Sequence, residues 1–81
     1  MTWTKHYDAN GNLMGFVNMD KVECVSVRKI YGNKPHKYAV EAWTDGPSGG
    51  GYWLAVCETE AEATERMEAI MGAMLNSWRP Q

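Results

Sequence analysis

The chain has 81 residues and a net charge of −2, with 44% hydrophobic and 22% charged residues. This composition is typical of a globular domain and excludes a disordered chain, and the length allows one domain with one small core. No apolar run approaches the roughly 18 residues of a membrane span, and Met1–His6 shows none of the features of a secretory signal. We therefore expect a cytoplasmic protein with reduced cysteines.

An Asn10–Gly11 pair lies between two short segments rich in strand-forming residues, Thr4–Tyr7 and Leu13–Val17. A type I′ turn needs positive φ at both central residues, and Asn followed by Gly is the pair that accepts this most readily. The pattern predicts an N-terminal β-hairpin over residues 3–17.

Three later segments are rich in β-branched and aromatic residues, namely Val22–Ile30, Lys37–Trp43 and Tyr52–Glu58. Loops rich in Gly, Pro, Asn and Ser separate them. We predict a three-strand meander over residues 22–58. The run Gly49–Gly51 is followed by a strand rather than a helix, which favours a hairpin loop over a phosphate cradle.

The clearest element is the last one, because Thr59 and Glu62 have the spacing of a helix-capping box. Downstream of them, apolar residues recur at helical spacings of three and four: Ala63, Met67, Ile70, Met71, Met74, Leu75 and Trp78. Pro80 ends the pattern. We predict an amphipathic helix over residues 60–77.

These elements predict a single α+β domain over residues 1–81. Its antiparallel sheet has four to five strands, from the N-terminal hairpin and the three-strand meander, and packs on the C-terminal helix. Pairing apolar residues across strands places Val25 and Val27 opposite Val40 and Tyr38, and Val40 and Ala42 opposite Val56 and Leu54. The residues that remain form the second sheet face, with Trp43 directly across from Trp53: Cys24, Ser26, Arg28, Ala39, Glu41, Trp43, Trp53, Ala55 and Cys57.

The second face is unusually apolar for a surface in water, so something should cover it. The N-terminal hairpin could do so, because Trp3, Tyr7, Met14 and Phe16 need packing partners. A second copy of the chain or a protein partner could equally cover it. We select five residues as the candidate partner or dimer interface: Ala39, Glu41, Trp43, Trp53 and Ala55.

The ionisable residues show no catalytic or metal-binding pattern. His6, Cys24, His36 and Cys57 are scattered without the spacing of metal ligands. If strand order follows the sequence, the two cysteines lie two strands apart, roughly 10 Å, which is too far for a disulfide. We expect no enzyme, no metal and no cofactor.

Charge is distributed unevenly along the chain. Residues 1–40 carry six Lys and Arg against three Asp and Glu, whereas residues 41–81 carry two against seven. A surface of mixed charge accounts for this, and so does a basic patch that meets an acidic partner. The possible basic patch consists of Arg28, Lys29, Lys34 and Lys37.

The segment Phe16–Val25 resembles a pattern of small bacterial and phage proteins, in which an aromatic-aliphatic-Asn-aliphatic-Asp turn leads into a strand. The resemblance extends from Phe16 to Leu75 and includes the Thr-capped acidic helix. Some phage-encoded inhibitors of bacterial defence, including anti-CRISPR proteins, are similar in size and layout. The single-stranded-DNA-binding coactivator-like fold, whose subunits dimerise, is similar in architecture. These resemblances imply an inhibitor or regulator, and a dimer.

Two functions therefore remain open. The first is a non-enzymatic protein-interaction module that inhibits or regulates a larger protein, forms a homodimer and binds no membrane. The second is a dimer that binds single-stranded nucleic acid, with the basic patch supplying charge and Trp43 and Trp53 supplying stacking surfaces.

Overall fold

The computed structural model describes residues 3–44 and 50–78, with side chains described as far as residue 72. Its elements in chain order are β1 (Trp3–Tyr7), β2 (Leu13–Asn18), a 3-10 turn (Met19–Lys21), β3 (Val22–Lys29), β4 (Tyr38–Thr44), β5 (Gly51–Cys57) and α1 (Glu60–Trp78). The fold is an antiparallel five-stranded sheet packed with one C-terminal helix, so the predicted α+β class is confirmed. Gly49 and Pro80, and the side chains of Met74, Leu75 and Trp78, lie outside the described part.

The strand order is β2-β1-β5-β4-β3, which places β2 and β3 at opposite ends of the sheet. Only Met19–Lys21 connects these two strands. The four residue steps from Asn18 to Val22 span at most about 14 Å, whereas the outer strands of a flat five-stranded sheet lie about 19 Å apart. The sheet must therefore curl until the end of β2 and the start of β3 come within this distance of each other.

The curl encloses the core on one face of the sheet, which we call the inner face. Residues from β2, the 3-10 turn, β4, β5 and the helix form one buried cluster: Val17, Met19, Val40, Ala42, Leu54, Ala55, Cys57 and Ala63. Of the predicted helix face, Ala63 is fully buried, Met67 and Ile70 pack against the cluster, and Met71 is half-buried.

The helix begins as the capping-box pattern predicts, with one difference. The Thr59 hydroxyl accepts the backbone N–H of Glu62 at 3.1 Å. The Glu62 carboxylate accepts the backbone N–H of Glu58 at 3.1 Å, one residue before the position of an ordinary capping box. The first of these contacts satisfies an N–H group that a helix start leaves without a partner.

The N-terminal hairpin is present, but the predicted type I′ turn is wrong. Gly11 has a φ of +85°, whereas no described residue other than glycine has a positive φ. Asp8 closes a three-residue loop, since its carbonyl accepts the Gly11 N–H at 3.0 Å and its carboxylate accepts the N–H groups of Asn10 and Asn12 at 2.9 Å. The backbone hydrogen bond from Asn12 lowers the pKa of Asp8.

The predicted pairing of β3 with β4 is displaced by two residues, because Val25 lies opposite Ala42 and Val27 opposite Val40. A shift of two keeps every side chain on its predicted face, since side chains alternate with a period of two. The inner positions of these two strands are therefore as expected.

The predicted pairing of β4 with β5 is wrong, and the error places two side chains on the wrong face of the sheet. The register shifts between Val40 and Glu41, so that Val40 lies opposite Ala55 and Tyr38 opposite Cys57. This irregularity turns Ala55 and Cys57 into the core, although we expected both on the second face. Val56 pairs with Ala39 and is not part of the buried cluster.

Candidate functional site

The face of the sheet opposite the core, here called the outer face, carries the predicted tryptophans. Their positions follow from pairing: Cys24 lies opposite Trp43, Ser26 opposite Glu41, and Arg28 opposite Ala39. These residues alternate along β3 and β4 with Val25, Val27, Val40 and Ala42, which pack in or against the core. Trp53 joins the outer face because it lies opposite Glu41.

The two tryptophans do not lie directly opposite each other, as we expected, because the shift in register places Trp43 across from Gly51. Both indoles instead point their N–H groups at one carboxylate. Trp43 Nε1 donates to Glu41 Oε1 at 2.9 Å, and Trp53 Nε1 donates to Glu41 Oε2 at 2.9 Å. Each oxygen of Glu41 therefore fixes the ring of one tryptophan.

The Glu41 carboxylate is almost fully buried, with 5% of the residue exposed. A buried carboxylate needs a compensating charge and hydrogen bonds. Arg28 supplies the charge, since its Nη1 lies 3.1 Å from Oε2 and 3.3 Å from Oε1 of Glu41. With the two indoles, three donors converge on this group. We call Arg28, Glu41, Trp43 and Trp53 the Glu41 cluster.

Gly51 provides the space that the Glu41 cluster occupies. A Cβ atom at this position would lie 2.7 Å from Glu41 Oε2 and 3.3 Å from Trp43 Cζ2. Any side chain here would displace the carboxylate or the indole, so the first residue of β5 must be glycine. The sequence carried a signal for this position, since Gly51 ends a run of glycines, but it did not show which side chain fills the space.

The Glu41 cluster combines a fixed interior with an accessible surface. Trp43 is 42% exposed, Trp53 is half-buried, and the Arg28 side chain is 51% exposed. Cys24 is exposed on the neighbouring strand. The surface thus presents part of one indole beside a guanidinium that keeps donors free for a further acceptor.

Three of the five predicted interface residues come together in this cluster, namely Glu41, Trp43 and Trp53. Ala39 lies on the outer face but is fully buried, and Ala55 belongs to the core. The expected position of Ala55 on the outer face was wrong because the register shift lies between it and Trp53. Sequence reasoning placed Arg28 on the second face and in the possible basic patch but missed its pairing with Glu41.

The four residues of the possible basic patch are not gathered beside the tryptophans. Arg28 is engaged by Glu41. Lys29 lies opposite Tyr38 with its Nζ 5.6 Å from the centre of the Tyr31 ring. Lys37 Nζ donates to the carbonyl of Lys34 at 3.4 Å in the connection between β3 and β4.

The N-terminal hairpin extends the sheet and does not form a lid over the tryptophans. β1 joins β5 at a single pair, Tyr7 with Trp53, and β2 follows as the outermost strand. Val17 is buried in the core, so its neighbour Phe16 points to the outer face, where 56% of it is exposed.

The two cysteines differ in environment, and we predict that they differ in reactivity. Cys24 is exposed, whereas Cys57 is buried on the opposite face, where burial and then the charge of Glu62 raise the pKa of its thiol. Because the thiolate is the reactive form, iodoacetamide should modify Cys24 in the native protein and Cys57 only after denaturation. Mass spectrometry of the alkylated peptides measures this. Equal native rates would contradict the burial of Cys57, and an oxidised Cys24–Cys57 crosslink would contradict the strand order.

A cavity of about 220 Å³ lies near the hairpin loop. Its lining residues are Tyr7, Gly11, His36, Leu54, Ala55, Val56 and Arg66. The His36 Nδ1 atom lies 3.4 Å from Glu58 Oε1 but has no hydrogen bond. The lining thus combines the Arg66 guanidinium with an imidazole that lies beside a carboxylate, so no single charge dominates this cavity, and we place the candidate site on the outer face.

Within the described residues, no group of three His, Cys, Asp or Glu side chains could hold a metal ion. The one helix of this part of the chain is not apolar enough to cross a membrane. Comparison with protein-family models, curated proteins and solved structures finds no match to this chain.

Proposed function

We propose that this chain is a non-enzymatic protein-interaction module that inhibits or regulates a larger protein by binding it with the Glu41 cluster. The observation that carries the proposal is the convergence of two indole N–H groups and one guanidinium on the buried Glu41 carboxylate. Tryptophan and arginine are the residues that most often dominate binding energy at protein interfaces.

Fixed rings make better anchors than mobile ones, because less side-chain entropy is lost on binding. In the free protein, hydrogen bonds of 2.9 Å already hold the rings of Trp43 and Trp53. The exposed part of Trp43 is then available as a rigid apolar contact.

The chemistry of the partner follows from Arg28. Its guanidinium uses Nη1 for Glu41 and is half exposed, so its remaining N–H groups can bind another acceptor. A carboxylate fits this fork in a bidentate manner. The expected contact on the partner is therefore an acidic side chain next to an apolar one.

The arrangement of charge favours protein binding over nucleic-acid binding. An oligonucleotide site needs several cations along a backbone path beside the stacking rings. Here the cation next to the rings is paired with Glu41, and the lysines of the predicted patch lie in or next to the β3–β4 connection.

Affinity capture from a lysate of the source organism tests the proposal when the bait is compared with a Trp43→Lys variant. Lys is chosen because it can pair with Glu41 on the same face. Loss of a central tryptophan should cost about 2 kcal/mol or more of binding, so the proteins enriched by the wild type should be depleted at least roughly 30-fold with Trp43→Lys.

Tyr31→Lys is the matched control, since Tyr31 is an exposed aromatic residue outside the strands. This variant should enrich the same proteins as the wild type. Retention of those proteins by Trp43→Lys, or no enrichment by the wild type, would contradict the proposal. A labelled single-stranded oligonucleotide that binds with a steep salt dependence would instead support the nucleic-acid function.

A further inference from the structure

The two outer strands of the sheet differ in how they are protected against pairing with a further strand. β3 carries Glu23, Arg28 and Lys29 among its eight residues. β2, with the sequence LMGFVN, carries no charged residue and no proline. Three of its six residues are large apolar side chains that are more than half exposed: Leu13, Met14 and Phe16.

An outer strand exposes a row of unpaired backbone N–H and C=O groups, and proteins usually prevent pairing there with charges, prolines or bulges. β2 has one such device, an irregularity in its pairing with β1 where Met14 is the extra residue. From Gly15 to Asn18 its register with β1 is regular. Among the described residues, this stretch pairs with no strand other than β1, so its second edge can accept another strand.

We propose that β2 pairs antiparallel with β2 of a second copy of the chain, with Phe16 on the two-fold axis. This dimer uses a surface different from the Glu41 cluster and does not depend on the proposed function. A second copy is the occupant that the strand itself favours, because an uncharged strand meets its own copy without repulsion between like charges.

The register follows from the two faces of the strand. Paired residues must point to the same face, so an antiparallel pair of identical strands can place Phe16 opposite Phe16 but not opposite Gly15. Gly15 then lies opposite Val17 on the inner face, and Met14 opposite Asn18 on the outer face. Val17 is buried, and a Cβ atom at Gly15 would lie 3.1 Å from His6 Nε2, so both inner positions are already packed against their own protomer.

The strength of this dimer is limited by its size. The exposed side chains of β2 present on the order of 300 Å² of apolar surface per protomer, well below the roughly 800 Å² of a standard interface. We therefore expect a dimer that dissociates on dilution in the micromolar range.

Light scattering over a range of concentrations tests the proposal. The wild type should be dimeric at high concentration and monomeric on dilution, and Phe16→Glu should be monomeric throughout. Glu is chosen because Lys5 lies opposite Phe16 on β1 and can pair with it. Lys29→Glu, an acidic substitution on the other outer strand, should dimerise as the wild type does.

Crosslinking tests the register directly, in a Cys24→Ser background that removes the exposed thiol. Phe16→Cys should form a covalent dimer on mild oxidation, because the two positions meet at the axis. Position 5 lies on the same face but on β1, one strand further from the two-fold axis, where the two copies would lie about 14 Å apart. Lys5→Cys should therefore not crosslink.

A wild type that is monomeric at all concentrations would overturn the proposal, as would a dimer that Phe16→Glu leaves intact. If Trp43→Lys abolishes the dimer and Phe16→Glu does not, the second copy binds the Glu41 cluster and β2 is not the interface. Crosslinks of equal yield at positions 5 and 16 would also contradict the register.

Discussion

Ala63→Asp should unfold the domain. Ala63 is fully buried where the first turns of α1 meet the core of the sheet. A carboxylate there would be removed from water without a partner, and its size would force the helix away from the sheet. We expect a loss of more than about 4 kcal/mol in the free energy of unfolding, which is comparable to the whole stability of a domain this small.

Ala69→Asp is the matched control, because Ala69 is an exposed alanine in the same helix. It should cost about 1 kcal/mol or less, mainly through the lower helix propensity of Asp. Urea denaturation followed by circular dichroism measures both variants. Equal stabilities would show that the helix packs on the sheet with a different face.

Glu41→Ala should be the most damaging single change on the outer face. It removes the acceptor of both indole N–H groups and the counter-charge of Arg28. Hydrogen bonds to charged groups contribute about 1.5–3 kcal/mol each. Because Arg28 is half exposed, water can solvate its guanidinium after the change. We therefore expect a total loss of about 3 kcal/mol.

Two further substitutions bracket this prediction. Glu41→Gln keeps one carbonyl acceptor and should lose roughly half as much, whereas Glu23→Ala, at an exposed acid of β3, should stay within about 0.5 kcal/mol of the wild type. Indole N–H resonances provide a direct readout: those of Trp43 and Trp53 should move in Glu41→Ala while that of Trp3 does not. Unchanged resonances together with unchanged stability would contradict the hydrogen bonds to Glu41.

The outer face could be predicted in part. Alternation along β4 correctly separated Ala39, Glu41 and Trp43 from Val40 and Ala42. Glu41 is visible in the sequence as the single charged residue of an apolar strand, which made it a candidate without indicating its partners. Two of those partners, Arg28 and Trp53, lie on β3 and β5, so their convergence on Glu41 depends on pairings between distant parts of the chain.

The turn of the hairpin illustrates a local error. Asn10–Gly11 located the hairpin correctly, but the Asp8 carboxylate organises the loop by accepting N–H groups from Asn10 and Asn12. A side chain that competes for backbone N–H groups changes the turn type without moving the turn.

The sequence by itself determined the identity of the strands and the helix, and their limits to within one residue, because capping, turn chemistry and side-chain periodicity act between residues a few positions apart. Only the tertiary structure decided that the hairpin joins the sheet beside β5, and that a register shift after Val40 turns Ala55 and Cys57 inward. Strand order and register depend on pairings between residues far apart in the chain, where a displacement of one position reverses the face of every side chain. The Glu41 cluster exists because that long-range register brings Gly51 and Trp53 to the same carboxylate.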